Sequence, residues 1–296
     1  VHPVADWDIE MRPGNYTCQS CDGVDPFLDW VTLLNEIWDL QRSAENPDGR
    51  WYHAIVPNAY GQQAGLGGLG FLGWPAAVSV PNAETIAHEQ GHNLNLYHVE
   101  CTGFEGQPDE NYPYEGGSIG KWGYNPETGQ TYDPAVWNDL MTYCPNEWIS
   151  DYSYKIALER RKLVGMDVPT GIGLDSAGTG TVVEFDGTVP ASAAAAASFE
   201  ITPDDRRAHV TIPTEIRAVR IVDGAPAAPA PGDNTLVGRD AAGALVIAVS
   251  FHAYAYDHAP GARFNFSVEM SAETYERIAR WEVEQSGAVI ASLAAT

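Results

Sequence analysis

The stretch His88-Glu89-Gln90-Gly91-His92-Asn93-Leu94-Asn95-Leu96-Tyr97-His98 gathers three histidines and a glutamate within eleven residues. Histidines four apart stack one turn from each other on one face of a helix, so His88 and His92 can grip a single metal ion. Glu89, beside them, is placed to act as general base on a water that the metal polarises. To bring His98 onto the same ion, the chain must turn sharply after Leu94. Asn95 stands at that turn, and asparagine is the best residue after glycine for the left-handed conformation that ends a helix. Three neutral imidazoles leave the fourth tetrahedral position of a zinc ion open, which separates a catalytic site from a closed structural one. His2, His53, His209, His252 and His258 lack ligand spacing and read as structural or exposed.

Written as HExxHxxxxxH, the stretch resembles the metzincin zinc-peptidase signature HExxHxxGxxH, with Asn95 in the glycine position. Downstream, Asp139-Leu140-Met141-Thr142-Tyr143 resembles the methionine-containing turn of that family. The resemblance covers residues 82–148 specifically and the upstream segments loosely, and it does not reach the C-terminal part. It implies one catalytic zinc on His88, His92 and His98, with Met141 as the apolar floor beneath the imidazoles. Glu89 would be the catalytic base, and Tyr143 would reach the zinc or the developing oxyanion. Residues 143–148 would wall the substrate pocket, with Trp148 a candidate wall. An edge strand before the active helix would pair with extended substrate, and either 76–80 or the glycine-rich run just before it occupies that place.

Four cysteines is an even number, and their placement favours disulfides and an oxidising compartment. If the neighbourhoods of His98 and Met141 meet at the zinc, a Cys101–Cys144 bond would tie them together, leaving Cys18 and Cys21 as a local pair. A lone CxxC lacks both the strand-to-helix context of a redox motif and the second CxxC of a zinc ribbon.

The net charge of −24, with lysine only at positions 121, 155 and 162, argues against nucleic acid and anionic membranes as partners. It favours a soluble monomer, and it also fits adaptation to salty surroundings. No window approaches 18 uninterrupted apolar residues, so no membrane span is expected. The chain starts at Val1 without a signal-like stretch, as a mature form or an excised fragment would. Asp109 and Glu110, with Glu105 and Glu115 nearby, match no calcium-loop spacing and leave Ca2+ only as a secondary possibility.

The periodicity predicts a core-packed helix over 27–44, with Leu28, Val31, Leu34, Ile37 and Leu40 on its inner side. Strands are expected over 51–56 and 76–80, around a glycine-rich run at 61–73. The zinc helix is expected over 83–94, N-capped by Asn82, with Glu84 in its first turn complementing the dipole. Residues 101–137, rich in Gly, Pro, Tyr and Trp, read as an ordered loop insertion. Its Tyr112, Tyr114, Trp122, Tyr124 and Tyr132 could stack on sugars, although ordinary packing is the preferred reading. A helix over 151–163 closes this part. Beyond it, short β-type segments at 181–185, 198–202, 209–212, 216–222, 245–251, 263–270 and 280–284 suggest a β-sandwich, with surface connections at 193–197 and 225–231.

The expected architecture is therefore α+β: a metzincin-like catalytic domain with a mixed sheet and an active-site helix (1–168), followed by a β-sandwich-like accessory domain (169–296). The expected activity is that of a secreted or cell-surface zinc endopeptidase acting on extracellular proteins or glycoproteins. The alternatives are an adhesin or glycan-binding protein with a vestigial zinc site, and a zinc amidohydrolase acting on a non-protein substrate. An intact Glu89 disfavours the first of these, because a structural zinc has no use for a base.

Overall fold

The computed structural model describes residues 9–42, 50–101, 108–167, 181–190, 212–222, 229–256, 259 and 261–295. The expected segments 198–202 and 193–197 lie outside them, as do most of 209–212 and 225–231. The chain divides into two compact units, Val1–Val168 with Ser198–Ala208, and Pro169–Ala197 with His209–Thr296. The architecture is mixed α and β, with several sheets and few helices.

In the first unit, α1 (Pro26–Arg42) buries Phe27, Trp30, Val31, Leu34, Ile37 and Trp38, the i, i+3, i+4 stripe of a core-facing helix. Leu28, expected on that stripe, is instead exposed, since Phe27 and Trp30 take the inner face. The sheet beneath has the order β1-β3-β2. β1 (Tyr52–Ile55) runs parallel to β3 (Trp74–Ser79), and β2 (Gly68–Phe71) pairs antiparallel with it. Consecutive residues of β3 are buried, so both of its faces are covered, and α1 and α3 (Ala83–Asn93) both pack on it. β3 is therefore central, which rules it out as a substrate-pairing edge; the edges are β1 and β2, the latter inside the glycine-rich run. That run also contains a helix, α2 (Asn58–Ala64), hidden from a periodicity reading because its inner face consists of Gly61 and Ala64.

Trp38 organises the α1 side of this sheet. It is fully buried, stacked on Trp74 with ring centroids 4.5 Å apart and edge-on to Phe71 at 4.6 Å. Past α3, the chain forms β4 (Gly123–Tyr124) and β5 (Thr131–Tyr132), then β6 (Asn138–Asp139) and β7 (Glu147–Trp148), and ends in α4 (Asp151–Asp167). β4 and β5 are antiparallel, whereas β6 and β7 are parallel.

The second unit contains two antiparallel four-stranded sheets. One has the order β12-β13-β8-β9, from Tyr254–Ala255, Ala262–Met270, Thr181–Val189 and Glu215–Val222. The other has the order β11-β10-β14-β15, from Leu245–Phe251, Asn234–Arg239, Arg280–Gln285 and Ala288–Ala294. Side chains of both sheets share one core, where Phe185 meets Trp281 at 4.7 Å and Phe251 meets Phe264 at 4.6 Å. At positions alternating with these core residues, Arg263 is fully buried and forks onto Asp186, with Nε–Oδ1 3.2 Å and Nη2–Oδ2 3.0 Å. Strands β10 and β15 and the short helix α5 (Ala272–Arg277) were not expected from the sequence. Gly238 interrupts the β10 pattern, and the exposure of β15 leaves it without strong alternation.

Trp38→Ala should destabilise the first unit by about 3–5 kcal/mol, because the sheet cannot collapse into so large a gap. Denaturant unfolding followed by circular dichroism measures it, and a change below about 1 kcal/mol would show that the Trp38–Trp74 stack is not a principal support.

Candidate metal centre

α3 is set by its two ends. Asn82 adopts an extended conformation, and its side chain accepts the Thr85 N–H at 3.0 Å, an N-cap. At the other end, Asn95 has φ 67, Leu96 N–H bonds to Gly91 O at 3.0 Å, and Asn95 N–H bonds to His92 O at 2.8 Å. This pair of bonds around a left-handed residue is a Schellman motif with asparagine at C′. The reversal turns the chain back within three residues, so that His98 faces the helix it has just left. Asn93 fixes the last turn to the sheet by donating to Phe71 O at 3.1 Å and Ala76 O at 3.0 Å.

His88, His92 and His98 are all buried, and one ring nitrogen from each lies within 4.8 Å of the others. His88 Nδ1 bonds to Leu140 O at 2.9 Å and His92 Nδ1 to Leu96 O at 2.8 Å. A carbonyl only accepts, so both Nδ1 atoms carry the proton and both Nε2 lone pairs face inward. His92 Nε2 and His98 Nε2 are 3.1 Å apart, close to the separation of about 3.3 Å for two nitrogens bound tetrahedrally to zinc at about 2.0–2.1 Å. His88 Nε2 is buried and has no hydrogen-bond partner, an orphan that a cation would satisfy. Burial, helped by the neighbouring His98, pushes the His88 imidazolium down to about 3, against the opposing Leu140 carbonyl. His88 is thus neutral at physiological pH, the form a metal needs. The residues fit a zinc ion.

Around this centre, the Tyr143 hydroxyl lies 3.1 Å from His98 Nε2, and its ring stacks 5.8 Å from that of His88. Glu89 is 2 % exposed and faces the glycines of β2. A Cβ at Gly68 would lie 2.5 Å from Glu89 Cγ and Cδ, and one at Gly70 would lie 3.2 Å from Glu89 Oε2. Met141 is fully buried against Gly91, where a Cβ would collide with its thioether sulfur. Two backbone carbonyls of the methionine turn bond to the metal segments: Leu140 O accepts from His88 Nδ1, and Met141 O accepts the Val99 N–H at 2.9 Å. Cys101 is bonded to Cys144 and Cys18 to Cys21, the pairs expected if the two neighbourhoods meet.

Trp148 is half-buried and stacked on Tyr132 with centroids 3.9 Å apart. Tyr112, Tyr114 and Tyr152 pack edge to face, while Trp122 and Tyr124 are exposed. Asp109 spends its carboxylate on the Tyr152 hydroxyl and the Asn111 N–H. Among the described residues only the three histidines form a metal-competent cluster, so Ca2+ gains no support. The sequence placed Gly68 and Gly70 only within a run that could pair with substrate and Glu147 only within the 143–148 wall, and gave Gly91 no part. The Gly-x-Gly alternation in a strand and a glycine between two ligands were the available signals for the three glycines.

A buried tri-histidine centre with a glutamate on the same helix is the arrangement of a metal-dependent hydrolase. Residues 44–155 match the family model described as Peptidase M66, a zinc metallopeptidase family, so this part of the chain is similar to that family. No curated protein and no solved structure matches the chain.

Burial, with the charges of Glu84 and Asp139, raises the Glu147 carboxyl from its ordinary 4.5 to about 7. The folded state therefore holds this proton more tightly than the unfolded chain, and stability falls as pH rises from about 4.5 through about 7. Thermal melts across that range should decline less steeply for Glu147→Gln, and parallel curves would refute the assignment. The Cys101–Cys144 bond closes a loop of sequence separation 43. The double variant Cys101→Ser/Cys144→Ser should lose about 2–4 kcal/mol of stability, and calorimetry that finds no loss would contradict it.

Proposed function

We propose that this protein is a secreted, monomeric zinc endopeptidase of metzincin type that hydrolyses peptide bonds within extracellular proteins or glycoproteins. In this reading its 1–168 domain is catalytic and its 169–296 β-sandwich is accessory. The observation that carries it is the convergence of three buried imidazoles, two of them held by backbone carbonyls with Nε2 inward, next to a glutamate on the helix of His88 and His92 and a tyrosine hydroxyl beside His98. The match of residues 44–155 to a metallopeptidase family supports the reaction class. The two disulfides fit an oxidising compartment, and no helix among the described residues is long and apolar enough to cross a membrane.

His88, His92 and His98 would hold the zinc, which when bound polarises the scissile carbonyl and acidifies the attacking water. Glu89 accepts the proton of that water on its carboxylate and delivers it to the leaving amide nitrogen. Its burial beneath β2 keeps competing solvent away from that proton. The Tyr143 hydroxyl donates a hydrogen bond to the oxygen on which negative charge develops. The edge strand β2 offers backbone groups to an extended substrate beside Glu89, and residues 143–148, with Trp148, wall the pocket. Exposed Trp122 and Tyr124 offer stacking faces for the sugars of a glycoprotein.

Glu89→Ala should keep fold and bound zinc but lose casein hydrolysis by about 10³-fold or more. In the parent protein a chelator should abolish the same activity and zinc should restore it. Full hydrolysis by the Glu89→Ala protein sinks the proposal.

A further inference from the structure

The methionine turn meets the metal segments through the Leu140 and Met141 carbonyls, the Met141 side chain, the Tyr143 hydroxyl and the Cys101–Cys144 bond. At its first residue lies Asp139, a fully buried carboxylate that no role in the proposed reaction uses. Its Oδ1 accepts the Met141 N–H at 2.9 Å, and its Oδ2 accepts the Ser150 N–H, also at 2.9 Å. The Ser150 and Ser153 side chains bond to it as well. Its own carbonyl accepts the Thr142 N–H at 3.1 Å and the Thr142 hydroxyl at 2.8 Å. One side chain thus joins the turn to the start of α4, from which Ser150 and Ser153 reach it.

The residues it arranges are the ones that touch the metal centre. Leu140, between the two ends of the Asp139–Met141 bond, supplies the carbonyl that fixes the His88 tautomer. Met141 supplies the carbonyl that holds Val99, next to His98, and the thioether that packs against Gly91 between His88 and His92. A carboxylate taken out of water persists only where donors surround it, and here the Met141, Ser150 and Ser153 donors come from the two segments it joins, with the Tyr112 hydroxyl added from the preceding loop. Simple packing would be met as well by an apolar residue of the same size; the convergence of donors would not.

We infer that Asp139 is a positioning residue for the metal centre: through the Leu140 carbonyl and Met141 it holds His88 and the floor of the site in the geometry that binds zinc. This rests on the zinc reading of the three histidines. Asp139 acts on the ligands from one hydrogen bond away and touches neither metal nor substrate.

Asp139→Asn preserves shape but offers one acceptor oxygen to two N–H groups, so either Met141 or Ser150 faces an amide NH2. Its zinc affinity should fall about 10- to 100-fold. The visible spectrum of the cobalt-substituted protein should shift, and kcat for a peptide should fall with KM unchanged. Ser153→Ala, which removes one donor and leaves the turn backbone intact, should shift affinity and spectrum in the same direction by a smaller amount. If Asp139→Asn does not fold, Ser153→Ala decides. Parental affinity, cobalt spectrum and kcat in the folded variants overturn the inference. The metal readouts stand apart from hydrolysis: a parent protein that binds cobalt and zinc but cleaves no peptide defeats the peptidase reading, while a shifted spectrum in the variants still supports Asp139.

Discussion

Three imidazole lone pairs pointed at one place repel one another, and the rest of the first unit is arranged to keep them there. Each ring must be neutral, turned with Nε2 inward, and shielded from water that would satisfy it otherwise. For His88, neutrality comes from burial, which takes its imidazolium to about 3. Orientation comes from the carbonyls of Leu140 and Leu96. Shielding comes from the small apolar core of Leu94, Leu96, Val99, Leu140, Met141 and Ala157 beneath the rings. An N-cap, a C-terminal reversal and a disulfide then fix the segments on which the rings stand.

The clustering of the three histidines was legible in the sequence because the spacing of the first two and the helix period are the same fact. His88 and His92 needed only one face of one helix, and Asn95 marked the reversal that brings His98 back. The limits of α1 and α3 followed from periodicity and capping to within a residue or two. The local meaning of glycine was not legible. In the run 61–73, Gly61 lies in a helix that Gly65 caps, Gly68 and Gly70 lie in an edge strand and Gly73 in its turn, and each reads alike without knowledge of what packs on it. The choice between β3 and the glycine-rich run was left open for the same reason, and pairing places β3 between its two neighbours with β2 at one edge.

Long-range polar contacts were the other hidden layer. Asp139 lay within the stretch recognised for its methionine, but nothing local says that its carboxylate meets Ser150 eleven residues away. The β-rich unit shows the reverse. Alternation and turn residues located five of its strands closely, whereas β10 and β15, one interrupted by glycine and the other exposed, carried too weak a pattern.

The bare strand beside Glu89 has a thermodynamic side. Gly68 and Gly70 give up side-chain contacts and, unfolded, are freer than alanine, so each weakens its strand by roughly 0.5–1 kcal/mol. A sequence selected for stability alone would fill both positions. The filling would occupy the volume of a buried carboxylate, so these two sites are where stability and function in this unit are set against each other.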